Sequence, residues 1–286
     1  TDRVIGSDIR VGTGAEEPLD VTDRAHLMEI VRRHGVGTVF HLAALLSTVA
    51  EAKPRVAWQV NMGGLHTVLE VARQVGAAVF FPSSIGAFGP GTPRDATPQD
   101  TLQRPTTIYG VTKVSGELLC DYYAARFGVD ARGLRLPGLI SHAAPPGGGT
   151  TDYAVEIFRS AIRCRRYTCY VGPDTRLPMM YMPDAIRAMI ELMEADPARL
   201  THRNAFNLAA MSFTPAELAV EIARHVPGFE IDWAPDPKRQ AIADSWPRSV
   251  DDSCARAEWG WAPAFDLQAT VTDMLGKLRE RVRPPH

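Results

Sequence analysis

Cysteine is scarce in this chain of 286 residues, and the four present, Cys120, Cys164, Cys169 and Cys254, form no C-x-x-C pair. Cys164 and Cys169 have no second pair to complete a structural zinc site, so reduced thiols are expected rather than a disulfide framework. Long apolar runs are missing too: nothing approaches the roughly 20 residues of a membrane span. The opening stretch TDRVIGSDIR has neither the apolar core of a signal peptide nor a transit-peptide composition, which makes a cytoplasmic location the default expectation. No charge of one sign predominates. Lys and Arg number 31 against 33 Asp and Glu, a formal net charge of -2, and the cations are dispersed. That pattern argues against nucleic acid or an anionic membrane as partner and leaves a small molecule. What is present is 45% apolar residues, enough to bury a full core.

Short β-branched runs alternate with longer helical patterns: RVIGSD, Thr22–His34, TVFHLAA, Pro54–Val75, AAVFFPSS, Arg104–Phe127 and DARGLRL. The rhythm predicts an α/β chain of the Rossmann type, a doubly wound parallel sheet. Its strands read as continuous apolar runs, as strands covered on both faces should. After about Leu136 the pattern loosens into shorter elements separated by proline-rich loops. This predicts a dinucleotide-sized domain over residues 1–140, with a few later elements, and a smaller C-terminal lobe over 141–286.

Tyr109 and Lys113 stand four residues apart at the start of a predicted helix. That spacing puts both side chains on one face, with Cβ atoms about 5–6 Å apart. A free tyrosine has a pKa near ~10, and acting as a base near neutrality requires stabilising its anion by about 4 kcal/mol. A neighbouring ammonium is a partner that supplies such a shift. By itself the pair also fits two residues on a solvated helix face. Ser84 closes an apolar strand 25 residues earlier, where the ligand crevice of an open parallel sheet lies. Ala43 and Ala44 close another strand and allow a flat or phosphate-bearing ligand to approach. Asp8, at the end of the first apolar run, is placed to accept from a ribose diol, or to serve as a turn residue.

HLAA at His41–Ala44, NMGGLHTVLEVA from Asn61, PSSIGAFG from Pro82, YGVTK from Tyr109 and LRLPGLIS from Leu134 resemble the extended short-chain dehydrogenases/reductases. Further on, PGGGTTDYAVEIF, TRLPMMYMPDAIRAMIELMEA, AFNLAAMSFTPAELA, RQAIADSWP and DDSCARAEWGW are similar to the short-chain type of L-threonine 3-dehydrogenases. The resemblance runs from residue 1 to about Leu278. It implies NAD-dependent oxidation of L-threonine to 2-amino-3-oxobutanoate, with Tyr109 as base. Lys113 lowers the tyrosine pKa and holds the nicotinamide ribose, and Ser84 binds the reacting oxygen. It also implies NAD contacts from Asp8, Ile9, Arg10, Asp20, Val21, Leu42, Ala43, Ala44 and Leu136. The carboxylate would meet Gly149, Thr150 and Thr151, and the ammonium Asp152, although Thr151 and Asp152 also suit the cap of the following helix. Ser47, Arg94 and Trp246 complete the implied substrate contacts. No metal is implied, and His26, His34, His66, His202 and His225 show no ligand spacing. A homodimer through the helices at Pro54–Val75 and Arg104–Phe127 is implied as well.

One departure from the family pattern stands out. The first strand and its G-x-x-G-x-x-G loop precede, in that family, the segment that opens here at Thr1, and no later stretch replaces them. The expectation is an incomplete or truncated member of a catalytic family, with weak dinucleotide affinity if the chain is this short. Two rival readings share the residues: a nucleotide-sugar epimerase or dehydratase of the same superfamily, and a non-catalytic binding protein that has lost NAD.

Overall fold

The computed structural model describes residues 3–282 apart from Val11 and Thr13. A short parallel pair, β1 (Ser7–Asp8) and β2 (Glu17–Pro18), comes first. Helix α1 (Arg24–His34) follows, with Asp23 accepting from the His26 amide at its start and Gly35 in the left-handed conformation at its end. Strand β3 (Thr38–Phe40) leads to α2 (Ser47–Ala52), α3 (Pro54–Trp58) and α4 (Gly64–Val75). The sequence reads Pro54–Val75 as one helix, but the structure inserts a π turn over Gln59–Gly63. The cause is Asn61: its amide is turned inward, accepting from the Leu45 amide at 2.8 Å and donating to Leu45 O and to Thr112 Oγ1. An extra residue in the turn lets the side chain reach those partners.

Strand β4 (Ala78–Ser84) is the centre of the main sheet, followed by a 3-10 turn over Ile85–Ala87 and the long helix α5 (Ile108–Phe127). Helix α5 begins four residues later than the sequence suggests, where the Thr107 side chain caps the Gly110 amide. Strands β5 (Ala131–Leu136) and β6 (Gly138–Ile140), helix α6 (Tyr153–Cys164), strands β7 (Arg166–Cys169) and β8 (Leu177–Tyr181), and helix α7 (Met182–Glu194) come next. The chain then runs through β9 (Phe206–Asn207), β10 (Met211–Phe213), α8 (Pro215–His225), β11 (Glu230–Trp233), α9 (Pro237–Asp244), α10 (Ser253–Trp259) and α11 (Leu267–Val282).

The main sheet is all parallel in the order β3-β4-β5-β9. Alternate residues of β4 point to opposite layers, which is why AVFF is apolar throughout. Val79 and Phe81 pack with α1, α4 and α5, while Phe80 packs with residues of α7 and α10. Among the described residues β1-β2 is a separate pair and β3 is an edge strand with Phe40 exposed. The small β10-β8-β6 and β11-β7 sheets and helices α6, α8 and α11 share a further core that includes Tyr153, Phe158, Tyr181 and Phe213. Ile85 and Phe88 join that core, while β9, α7 and α10 pack with the main sheet. No helix of the described residues is long and apolar enough to cross a membrane.

Candidate active site

Strand β4 delivers Ser84 to its carboxyl end, where Oγ accepts from the Gly86 amide at 3.1 Å and starts the 3-10 turn. Gly86 lies under the Tyr109 ring: a Cβ there would stand 3.1 Å from Cδ1 and Cε1. This contact sets Tyr109 and Ser84 side by side over Gly86, and the Ser84 hydroxyl favours the tyrosinate. One turn along α5, Lys113 Nζ donates to Pro82 O at 2.5 Å and lies 5.4 Å from the centre of the Tyr109 ring. Tyr109 and Lys113 are both buried, at 8% and 5% exposure, with Ala50 of α2 and Ala57 of α3 against the tyrosine. The structure therefore brings together Ser84, Tyr109 and Lys113, which the sequence only placed in order.

Burial changes the expected electrostatics. Loss of solvent raises the Tyr109 pKa above its ordinary value, against the opposing Ser84 hydrogen bond, where the sequence reading anticipated a lowering by Lys113. Lys113 is itself drawn down to about 8 by burial, with the Glu117 charge pulling it back up. The phenol thus starts protonated, and its anion needs additional positive charge in the closed site.

Glu117 was not singled out in the sequence. Its carboxylate accepts a short hydrogen bond from Ser83 Oγ, a bond from Gln103 Nε2 at 2.9 Å, and a paired contact from Arg135, with Nη2 at 2.9 Å. Arg135 also donates to Gln99 O and Asn207 Oδ1, tying β4, β5, β9 and α5 together behind the catalytic face. The available signal was the continued spacing Tyr109, Lys113, Glu117, together with two arginines, Arg132 and Arg135, inside a strand that is buried throughout.

A small crevice beside Lys113 is lined by His41, Ala43, Ala44, Asn61, Phe81 and Thr112. His41 is pulled down to about 4 by burial and by the Lys113 charge, so it is neutral at ordinary pH. Ala43 and Ala44 keep this wall of the crevice free of long side chains, and Lys113 has donors beyond the one directed to Pro82 O. Leu136, buried at the end of β5, is paired in register with Ser84. Leu42 and Ile9 are exposed, and Asp8 Oδ1 accepts from the Arg10 amide in a turn. Asp20 Oδ1 is engaged by the Thr22 amide and hydroxyl, which hold its carboxyl below the ordinary range. Val21 packs against Gly64, where a Cβ would come within 2.7 Å of Val21 Cγ1. Small residues at two strand ends and an ammonium donor suit the nicotinamide ribose, so the residues present fit a dinucleotide.

Ser47 Oγ and Thr150 Oγ1, 103 residues apart, meet at 3.4 Å and are both buried. Next to Ser47, the buried Thr48 Oγ1 has no hydrogen-bond partner. The glycine loop behaves differently from the sequence reading. Asp152 Oδ2 accepts from the amides of Gly148 and Gly149 at 2.7 and 2.8 Å. The carboxylate expected to meet a ligand's ammonium closes the loop instead, and the Gly149 amide expected to meet a carboxylate is occupied by it. Thr151 packs on Gly138 through its methyl group. Trp246 is buried in the core of the smaller lobe rather than open at a site mouth, because Tyr170, Ile242 and Val250 belong to the same apolar cluster. Arg94 is exposed, and its carbonyl holds the amides of Arg248 and Ser249.

The model of the NAD dependent epimerase/dehydratase family matches residues 5–209. An uncharacterised epimerase/dehydratase of Staphylococcus haemolyticus is 54% identical over 287 residues, covering 98% of this chain and 90% of the relative. Among solved structures, L-threonine dehydrogenase from Clostridium difficile is 53% identical with a TM-score of 0.95, covering 97% of this chain and 89% of that one. A monomeric L-threonine 3-dehydrogenase from a metagenome is 44% identical with a TM-score of 0.94, covering 98% and 91%.

Proposed function

The chain belongs to the NAD dependent epimerase/dehydratase family, and on that premise we propose that it oxidises L-threonine to 2-amino-3-oxobutanoate with NAD. The observation that carries this reading is the grouping of half-buried Ser84 with buried Tyr109 and Lys113, together with the Ser47 and Thr150 hydroxyl pair contributed by another part of the chain. When bound, NAD supplies the hydride acceptor. This chain's own residues do the rest. Ser84 donates to the oxygen of the alcohol and orients it, and Tyr109, its own proton first released to solvent, takes the hydroxyl proton as the carbonyl forms. Lys113, close to the phenol ring and held by Pro82 O, stabilises the tyrosinate and directs its remaining donors toward the nicotinamide ribose. Burial of Tyr109 and Lys113 keeps water from the pair and strengthens their interaction.

Recognition of the amino acid falls to hydroxyls. Ser47 and Thr150 face each other at donor distance. Together they suit a carboxylate, while the Asp152 clamp fixes the loop that carries Thr150. Asp8 at the end of β1 is the residue proposed for the adenosine ribose, with Arg10 and Ile9 beside it; Val21, Leu42, Ala43, Ala44 and Leu136 line the path to the nicotinamide. Residues up to about 140, with β9, carry the cofactor, and the later lobe carries the substrate.

The test is NADH formation on adding L-threonine to the purified full-length chain, with Tyr109→Phe as its partner. The expected outcome is threonine-dependent NADH, reduced by roughly 10²–10⁴-fold in the variant while NAD binding persists. Turnover preserved in Tyr109→Phe removes the tyrosine from the mechanism, and no NADH from the native chain sinks the substrate assignment.

A further inference from the structure

We propose that His202, Cys254 and Glu258 form a zinc-class metal site, separate from the crevice at Tyr109. One ligand atom of each, a ring nitrogen, a thiol sulfur and a carboxylate oxygen, lies within 4.8 Å of the other two. The three come from two stretches of chain, which is why histidine spacing in the sequence does not reveal them. Cys254 and Glu258 are one turn apart on α10, at i and i+4, and project from the same side. His202 arrives from the loop before β9.

The geometry is organised in advance. Glu258 Oε2 accepts from the amides of Thr201 and His202 at 2.6 and 3.1 Å, so the carboxylate is fixed by backbone. Its Oε1 faces His202 Nδ1 in a short contact, which sets the imidazole plane. On the other side of the ring, Nε2 lies 3.6 Å from Asp100 Oδ2. With the ring turned so that Nδ1 leaves Glu258 Oε1 for the ion, the Nε2–H would remain toward Asp100, an outer carboxylate that fixes the tautomer.

The thiol fits as well. Glu258 and Asp100 give the cluster a negative field that attracts a divalent cation, which displaces the thiol proton to solvent and leaves a thiolate. Zinc bonds of about 2.3 Å to sulfur and about 2.0–2.1 Å to nitrogen place those ligands roughly 3.5 Å apart in a tetrahedron. Binding needs the sulfur to close in by about 1 Å and the short His202 Nδ1–Glu258 Oε1 contact to open toward that spacing. One thiolate, one imidazole and one carboxylate select zinc-like ions over calcium or magnesium, and solvent supplies the fourth ligand.

A bound ion would join α10 to the 200–204 loop and draw in the segment carrying Asp100. Next to Asp100, Gln99 bonds Ala205 O and the Asn207 amide, so the metal would brace the strand β9 edge of the sheet. The consequence is stability, and the site takes no part in hydride transfer.

Cobalt(II) titrated into the reduced full-length chain tests this. The expected result is one equivalent bound with a thiolate-to-cobalt charge-transfer band in the near ultraviolet, and a higher Tm with zinc. Cys254→Ser loses the band and the zinc-dependent rise in Tm, while keeping its metal-free Tm and its turnover. Asp100→Asn, an exposed change with little bearing on folding, weakens cobalt binding about 10–100-fold. A native chain with no band overturns the proposal. So does a band that survives Cys254→Ser, because it would arise at another thiol such as the exposed Cys164.

Discussion

Glu117 governs the charge of Lys113 from one turn away. Lys113 is buried, and its pKa falls from 10.5 to about 8 with Glu117 opposing the fall. Removing the carboxylate charge in Glu117→Gln lowers the lysine pKa further. The ammonium that stabilises the tyrosinate is then lost at lower pH, so the alkaline limb of the turnover profile moves toward neutrality. A profile superimposable on the native one would remove Glu117 from the electrostatics of the site. The same change leaves Arg135 buried with its main counter-charge gone, a loss on the order of 3–5 kcal/mol. Rising pH has a separate effect on the native chain. The unfolded lysine holds its proton up to about 10.5 while the folded one releases it near 8, so the cost of burying that charge is relieved across this window. Here the sequence was legible for the functional pair and silent on what tunes it, because an isolated Glu at helical spacing reads as a surface residue.

At the level of elements, the site depends on two close approaches to α5. A Cβ at Gly110 would stand 2.3 Å from Gly86 O and 2.4 Å from Pro105 Cβ. The start of α5 can therefore rest on the 3-10 turn after Ser84 only because residue 110 lacks a side chain. Gly110→Ala pushes the helix away from that turn, with an overpacking cost of about 1–3 kcal/mol. Because it also moves Tyr109 off Ser84, kcat is expected to fall by roughly 10²-fold, more than NAD affinity does. Steady-state kinetics on the folded variant checks this, and a kcat close to native means the contact does not set the geometry. Helices and strands of this layer were legible from apolar periodicity, with α1, β4, α5 and β5 displaced by only a few residues. The π turn was not, because NMGG carries no local sign that Asn61 will bond to Leu45 and Thr112, contacts that exist only once the chain has folded. The loop clamp at Asp152 was half legible: TTD before a helix is a cap signal and equally a polar ligand set, and the amides of Gly148 and Gly149 decide for the cap.

For the molecule as a whole, alternation of short strands and long helices gave away the parallel sheet, since each buried strand must be apolar on both sides. The small sheets β10-β8-β6 and β11-β7 left a weaker trace, as strands of a few residues between proline-rich loops have no clear period. One surface remains unexplained by the chain's own packing. Leu118 and Tyr122 are 64% and 54% exposed on α5, one turn apart, and Val56 and Trp58 of α3 are exposed too. A second copy of this chain, meeting it helix to helix, would bury them, although a relative 44% identical is monomeric. We therefore propose a homodimer through these helices. Sedimentation velocity is expected to show a dimer that dissociates on dilution, and Leu118→Glu to give a monomer at all concentrations, because a carboxylate buried at a symmetric interface meets its own copy. The variant should keep its fold, since residue 118 faces outward. A native chain that sediments as a monomer throughout would assign the exposed leucine and tyrosine to ordinary surface and leave Tyr109 and Lys113 to act within a single chain.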